Sequence, residues 1–171
     1  MDIMAKYGVN PVHNINSNLK LASGYKFLYN ELKERGINVT LGTDGNGSSN
    51  NLDMRETMKT AALMQKGWRE DPTALPLNEL MDMATVNGAK ALGIDTGEIK
   101  EGKLADISII DIDNYAFTPN INFLSNLVYS ANSSCVESVI CNGKFVMKNR
   151  VVEGEKEILE KVNSIYKKLY V

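Results

Sequence analysis

An aspartate stands where a parallel sheet would place a functional group. Asp44 follows the alternating stretch 37–41 and lies between Gly42 and Gly45, which allow the backbone to turn sharply. Enzymes built on barrels and open α/β sheets carry their functional side chains at the carboxyl ends of strands. Because Asp and Gly are also ordinary turn residues, the same pattern is typical of a plain turn. The residues alone leave both interpretations open.

His13 ends the other predicted strand of this region, so in a parallel sheet it would share an edge with Asp44. It is the only histidine in the chain. Metal-dependent hydrolases commonly gather several imidazoles around one ion, so any metal chemistry here is expected to be incomplete. A lone histidine near a strand end is more often a hydrogen-bonded structural residue than a ligand.

Two other kinds of site can be tested against the loop after residue 43. A calcium loop beginning at Asp44 would need Gly at its sixth position and Glu at its twelfth, where the chain has Ser49 and Arg55. The loop glycines match neither a P-loop nor a dinucleotide fingerprint. The spacing therefore argues against both a calcium site and a phosphate-binding loop.

The elements that would position these side chains form a βαβ unit. Stretch 9–13 predicts a strand, 14–18 a polar turn, 25–35 a helix and 37–41 a half-buried strand. A strand, a helix and a second strand within about 30 residues are typical of a parallel sheet.

Two further helices are predicted after the loop. The first would be capped by Asn50 or Asn51 and end near Gly67, and the second would run from Pro76 to Gly93. Helical spacing of their apolar residues supports both.

The later part of the chain is predicted to be mostly β. Stretch 104–110 reads as a strand, 136–147 as a hairpin about Asn142-Gly143, and 155–170 as an amphipathic helix. We place the domain boundary near Thr96, so that residues 1–95 are α/β and residues 96–171 mainly β.

Composition excludes several classes of protein. The 171 residues carry 19 Lys and Arg against 21 Asp and Glu, a net charge of -2, which argues against a nucleic-acid partner. Only two cysteines are present, which favours a reducing cytoplasm, and no apolar stretch at the N-terminus suggests a secretion signal or a membrane span.

Taken together, these segments resemble the C-terminal part of the amidohydrolase superfamily, in its aminohydrolase branch. The nearest group is the 5-methylthioadenosine/S-adenosylhomocysteine deaminases, with the chlorohydrolases related to them. The stretches that carry the resemblance cover nearly the whole chain in order: 12–14, 17–24, 41–45, 48–54, 83–85, 88–93, 97–99, 102–106 and 127–130.

The resemblance implies a metal-bearing (β/α)8 barrel joined to a small β-sandwich. A complete barrel needs about 250 residues. Residues 1–95 are therefore expected to form the last part of the barrel, and residues 96–171 the C-terminal part of the sandwich with a terminal helix.

The family pattern also implies roles for individual residues. Asp44 matches the aspartate on the last barrel strand, which binds the metal and relays a proton from the attacking water. Ser48 matches a position that can hydrogen-bond the substrate, and His13, Ser17 and Asn18 match the preceding strand and loop beside the substrate pocket. At Ile15 and Asn16 the sequence departs from the Pro and small residue that are usual there.

The expected activity is deamination of a purine-like heterocycle by attack of metal-bound hydroxide. The substrate would be 5-methylthioadenosine, S-adenosylhomocysteine or adenosine, and the metal a divalent ion, first of all zinc. The 171-residue chain alone is expected to be inactive, to bind no stoichiometric metal and to self-associate. Alternatives are triazine dechlorination, deamination of guanine or another base, and a non-catalytic remnant serving as an interaction module.

Overall fold

The computed structural model describes residues 1–170. Its first sheet is a parallel pair, β1 (Val12–His13) and β2 (Thr40–Leu41). Val12 pairs with Thr40 and His13 with Leu41. The predicted βαβ unit is confirmed, although both strands are shorter than the sequence suggested.

The crossover between these strands differs from the prediction. It contains α2 (Ile15–Lys20), where a polar turn was expected, and α3 (Tyr29–Lys33) in place of a helix over 25–35. Ile15 is fully buried, and this anchor explains why the polar stretch folds as a helix against the core. The start of the expected helix is instead held by tertiary contacts, because the Gln65 side-chain amide donates to the Phe27 carbonyl.

The strand that leads to Asp44 is buried on both faces. Val39 and Leu41 are buried as the alternation predicts, but Thr40 is also only 3% exposed. The prediction of a half-buried strand was wrong because several later helices pack against β2 in addition to β1, and burial on both faces is usual for parallel strands. The Thr40 amide donates to the Pro11 carbonyl and so continues the strand pairing.

Two helices follow the Asp44 turn. The short α4 (Asn46–Ser49) was not predicted, and the long α5 (Met54–Arg69) was. The N-cap of α5 is Asp53, whose carboxylate accepts from two backbone amides, so the expected cap at Asn50 or Asn51 was wrong. Asp is among the best N-cap residues because its side chain satisfies amides that lack helical partners.

The second predicted helix is divided in two. α6 (Leu77–Ala84) and α7 (Val86–Leu92) meet at Thr85, whose backbone is not helical. Hydrophobic periodicity continues across the break, which is why the sequence indicated one helix. Gly93 ends α7 in the left-handed conformation, as predicted, while Pro76 is the N-cap of α6 and not a first-turn residue.

The main core lies between the parallel strands and helices α2, α3, α5 and α6. Its buried members are Ile15, Tyr29, Leu32, Ile37, Val39, Leu41, Met58, Ala61, Ala62, Leu75, Leu80, Met83 and Val128. Val128 comes from the part of the chain after the predicted boundary, so the two predicted domains share packing. The boundary at residue 96 stays a prediction.

The later part of the chain forms an antiparallel sheet in the order β3 (Ile107–Ile110), β4 (Val136–Cys141), β5 (Lys144–Met147). The hairpin about Asn142-Gly143 is confirmed, and both turn residues have the positive φ that a tight two-residue turn requires.

Short helical segments connect β3 to β4 and were not predicted. They comprise the 3-10 turns Tyr115–Phe117 and Ser133–Cys135, the α-helical turn α8 (Phe123–Ser125) and the π-helical turn Asn126–Ser130. Phe117, Leu127 and Cys135 make a second, smaller core there.

A buried arginine joins the two regions. Arg55, on the first turn of α5, forms an ion pair with Asp53 across 3.0 Å. Its guanidinium also donates to the sulfur of Cys135 and to the carbonyl of Asn132. These contacts fix the start of α5 against the segment that leads into β4.

The terminal helix α9 (Glu155–Tyr170) is confirmed but buries none of its residues. A short N-terminal helix, α1 (Asp2–Lys6), was not predicted and likewise buries none. Within residues 1–170, no helix combines the length and the apolar character needed to span a membrane.

Candidate functional site

The candidate site is the turn that follows β2. Asp44 lies three residues beyond Leu41, the last residue of the strand, and adopts a left-handed backbone with φ of 60°. Few residues other than glycine take this conformation, and Asp is one that tolerates it. The Asp44 side chain is exposed, so it is available to a ligand at the carboxyl end of the sheet.

Two donors orient the Asp44 carboxylate, one at each of its oxygens. The Ser17 hydroxyl donates to Oδ2 at 2.7 Å, and the Gly45 amide donates to Oδ1 at 2.7 Å. Hydrogen bonds to the charged form of a carboxyl favour ionisation. The Ser17 and Gly45 donors accordingly hold the pKa of Asp44 below its usual range, with a smaller contribution from Ser48.

Close packing brings β1 against this turn. A side chain on Gly42 would place its Cβ only 2.3 Å from Oδ1 of Asn14 and 2.8 Å from a methyl of Val12. Real contacts are never that short, so the strand end can approach β1 only because residue 42 is glycine. The glycine therefore allows the Asp44 turn to lie beside the segment that carries Ser17.

The loop between Asp44 and α5 is fastened to α2. The ammonium of Lys20 donates to the Asn50 side chain and lies 3.4 Å from the Gly47 carbonyl. Ser48 lies in α4, is partly buried, and influences the ionisation of Asp44, so the predicted pair Asp44 and Ser48 is brought together. Sequence reasoning missed Lys20, because nothing in the local pattern indicates which loop it would meet.

Ser17 and Asn18 are neighbours on α2 with different environments. Ser17 is buried and engaged with Asp44, whereas Asn18 is partly exposed. Asn16, the residue before Ser17, donates to the Thr57 hydroxyl at 3.4 Å and so links α2 to α5. Of the three residues predicted beside the pocket, the structure brings Ser17 into direct hydrogen-bond contact with Asp44.

His13 lies at the end of β1 and is almost completely buried. Its ring stacks on Phe27 with 4.1 Å between centroids and 14° between planes. Nδ1 has no hydrogen-bond partner among the described residues. Burial lowers the pKa of His13 from 6.5 to about 4, so the imidazole is neutral near pH 7. Phe27 was not predicted to contact His13, and no local sequence signal would have indicated it.

The site offers a metal ion one strong ligand. Each oxygen of the Asp44 carboxylate accepts one hydrogen bond and retains a further lone pair, so the ionised group can still coordinate a cation. Over residues 1–170, no cluster of three or more His, Cys, Asp and Glu side chains is arranged to hold a metal.

The chain matches a known family over most of its length. The sequence model of the "Amidohydrolase family" matches residues 1–146. The 5-methylthioadenosine/S-adenosylhomocysteine deaminase 1 of Archaeoglobus fulgidus is 45% identical over 172 residues, covering 99% of this chain and 41% of that protein. The 5'-deoxyadenosine deaminase of Methanothermobacter thermautotrophicus is 50% identical over 160 residues, covering 94% of this chain and 36% of that protein.

The fold of this chain is also similar to that of a solved structure. An adenosine deaminase from Xanthomonas campestris with bound zinc superposes with a TM-score of 0.89 at 34% identity, over 97% of this chain and 38% of that one. The chain thus spans about two fifths of the length of the proteins that it matches.

Proposed function

The chain belongs to the amidohydrolase family, and from this premise we propose that it forms the C-terminal part of a metal-dependent hydrolase that deaminates a purine-like heterocycle. The names of the relatives support this substrate class, since they are deaminases of 5-methylthioadenosine, S-adenosylhomocysteine and 5'-deoxyadenosine. Residues 1–95 would supply the last strands of the barrel, and residues 96–171 the end of the smaller sandwich.

One observation carries the proposal. Asp44 stands at the carboxyl end of a parallel strand with its carboxylate exposed, ionised and held by two hydrogen bonds. Barrel enzymes bind their substrates at that end of the strands. An ordinary turn aspartate would account for the bond to Gly45, but it gives no reason for a buried serine 27 residues away to donate to the other oxygen.

The carboxylate fits a divalent cation as one ligand of several. Zinc in catalytic sites takes three protein ligands of the His, Asp and Glu type, with one position left open. When bound, such a cation lowers the pKa of water so that a nucleophile exists near neutral pH. We propose that the remaining ligands belong to the larger part of the family enzymes that this chain does not match.

Asp44 would then have two tasks in the reaction. Its carboxylate would hold the cation, and it would accept the proton of the attacking water and return it toward the departing ammonia. Both tasks use the ionised carboxylate, the form to which the Ser17 hydroxyl and the Gly45 amide donate. Ser48 and Asn18 would hydrogen-bond the substrate, and the neutral His13 would line the pocket beside Phe27.

The geometry of Asp44 does not by itself indicate which heterocycle is the substrate. Deamination of another base or dechlorination of a triazine would be compatible with the same carboxylate. We favour adenosine-type substrates because the matching relatives at 45% and 50% identity carry those names.

A chimera tests the proposal directly. The segment of the Archaeoglobus fulgidus deaminase that this chain matches is replaced by the 171 residues, and ammonia release is measured with 5-methylthioadenosine, S-adenosylhomocysteine, adenosine and 5'-deoxyadenosine. We expect turnover of at least one of them, lost in Asp44→Asn and kept in Asp113→Asn, an exposed aspartate of the later region.

The isolated 171-residue chain serves as the second arm, and we expect it to be inactive and to hold no stoichiometric zinc. A well-folded chimera without activity on any of the four substrates would contradict the proposed function. Turnover by the isolated chain with tightly held zinc would instead show that these 171 residues complete the site by themselves.

A further inference from the structure

The bond between Ser17 and Asp44 joins a buried residue to an exposed one. Ser17 is 3% exposed and sits in the first turn of α2, while the Asp44 carboxylate faces outward. The oxygen atoms are 2.7 Å apart, a usual length for a hydroxyl that donates to an oxygen. The Ser17 hydroxyl therefore approaches the Asp44 carboxylate from the packed interior of the molecule.

A serine hydroxyl has one proton to donate. In this arrangement that proton points at Oδ2 of Asp44, so it is not available to a substrate. Burial also separates Ser17 from the outward side, where a heterocycle would bind. The family resemblance alone placed Ser17 beside the pocket, together with Asn18, without distinguishing between their tasks.

The second donor shows what the serine adds. The Gly45 amide fixes Oδ1, but one hydrogen bond leaves the carboxylate free to rotate about the bond to Cβ. The Ser17 bond to Oδ2 removes that freedom. Each oxygen then keeps a lone pair in a fixed orientation, available to a cation.

We propose that Ser17 is a positioning residue that fixes the orientation of the Asp44 carboxylate for metal binding and proton transfer, and that it does not contact the substrate. This inference rests on the proposed function. It predicts that losing the hydroxyl weakens metal retention and the chemical step, and leaves substrate binding intact.

Serine-to-alanine exchange suits this site because it leaves no buried polar group unpaired. Asp44 is exposed, so water can replace the lost donor, and the fold should survive. Ser17→Thr keeps the hydroxyl and tests rescue. Ser23→Ala removes an exposed hydroxyl just beyond α2 and serves as the matched control.

The variants are compared in the chimera with the Archaeoglobus fulgidus deaminase. We expect Ser17→Ala to lower kcat roughly tenfold, the cost of about one hydrogen bond to a charged group, with KM changed less than about twofold. Zinc should also be lost several times faster during dialysis against a chelator. Ser17→Thr should recover most of both properties, and Ser23→Ala should resemble the wild type.

A spectroscopic measurement on the same chimera is independent of turnover. The Gly45 amide resonance reports the hydrogen bond to Oδ1, and we expect it to shift in Ser17→Ala as the carboxylate rotates, but not in Ser23→Ala. An unchanged Gly45 resonance, or unchanged zinc retention, would overturn the inference.

The kinetic outcomes separate the two proposals. A raised KM with unchanged kcat in Ser17→Ala would mean that Ser17 binds substrate, which overturns the positioning role while leaving the deaminase intact. If the wild-type enzyme turns over no heterocycle, the proposed function fails, and zinc retention with the Gly45 resonance then decides the role of Ser17.

Discussion

The imidazole of His13 lies flat against the ring of Phe27, 4.1 Å away, at the carboxyl end of β1. The surrounding residues leave only 2% of His13 exposed, and burial away from water disfavours the charged imidazolium. The consequence is a neutral histidine beside the candidate site, with a pKa lowered by burial to about 4.

The stability of the protein should therefore fall on mild acidification. The unfolded chain binds a proton at His13 near its ordinary pKa of 6.5, whereas the folded state resists protonation down to about 4. Between these values the unfolded state holds more protons, so the free energy of unfolding decreases as the pH falls. From pH 7 to pH 5 the loss should be about 2 kcal/mol.

Urea unfolding followed by the fluorescence of Trp68, the only tryptophan, measures this loss. His13→Gln cannot titrate in this range and should lose correspondingly less between the same two pH values, whatever its stability at neutral pH. Equal pH dependence of the wild type and the variant would show that His13 is not the group responsible.

If the proposed function is correct, removal of the Asp44 carboxylate should abolish turnover in the chimera. Asp44→Ala would delete a metal ligand and the proton acceptor together, and the contributions of groups that act as a unit are lost together. Steady-state kinetics and zinc content measure the effect. Retention of more than about a tenth of the wild-type kcat/KM, a loss below roughly 1.4 kcal/mol, would mean that Asp44 is a turn residue.

Ser48→Ala should have a milder effect that depends on the substrate. A neutral hydrogen bond contributes about 0.5–1.5 kcal/mol, so kcat/KM on the preferred substrate should fall by up to roughly tenfold. Because Ser48 lies beside Asp44, a panel of heterocycles distinguishes a contact with the substrate from an effect on the carboxylate. An equal loss on every substrate would indicate an effect through Asp44, and no loss on any would remove Ser48 from the site.

The 171-residue chain alone should self-associate. The apolar stripe of α9 is uncovered, with Ile158, Val162 and Ile165 each 56% exposed, and Val12 of β1 is 52% exposed. Exposed apolar patches and open strand edges favour association between molecules. Sedimentation velocity over a range of concentrations should show oligomers or aggregates.

Ile158→Lys with Ile165→Lys should increase the monomer fraction, since both changes place charge on the exposed stripe. Lys161→Gln, on the same helix, is the control for a surface change outside the stripe. A monomeric wild type with slow, cooperative hydrogen exchange through Ile37–Leu41 would contradict the prediction and favour an autonomous module.

Much of the local structure could be predicted from sequence because its causes are local. Asn142 and Gly143 can adopt the positive φ that the hairpin turn requires, and Gly93 can end a helix in the same way. The helical spacing of apolar residues predicts α5 and α9. The position of Asp44 after a strand follows in the same way, because period and turn chemistry are written in neighbouring residues.

Where a prediction from the sequence was wrong, contacts between segments distant in sequence determined the secondary structure or the burial. The stretch expected to be a turn became α2 because Ile15 enters the core, and the expected helix from residue 25 shortened because Gln65 holds the Phe27 carbonyl. Thr40 is buried because its strand packs against α5, α6 and α7 as well as β1. No local pattern contains that information.

The sequence by itself determined which residues are candidates for the site, and only the tertiary structure decided what each one touches. Asp44, Ser48, His13, Ser17 and Asn18 could all be chosen from position and resemblance. Three contacts join segments that are 14 to 30 residues apart: the hydrogen bond of Ser17 to Asp44, the stacking of His13 on Phe27, and the hydrogen bond of Lys20 to Asn50. Hydrogen bonds and ring stacking act over a few ångströms of space, so their partners are set by how the chain packs and not by their order along it.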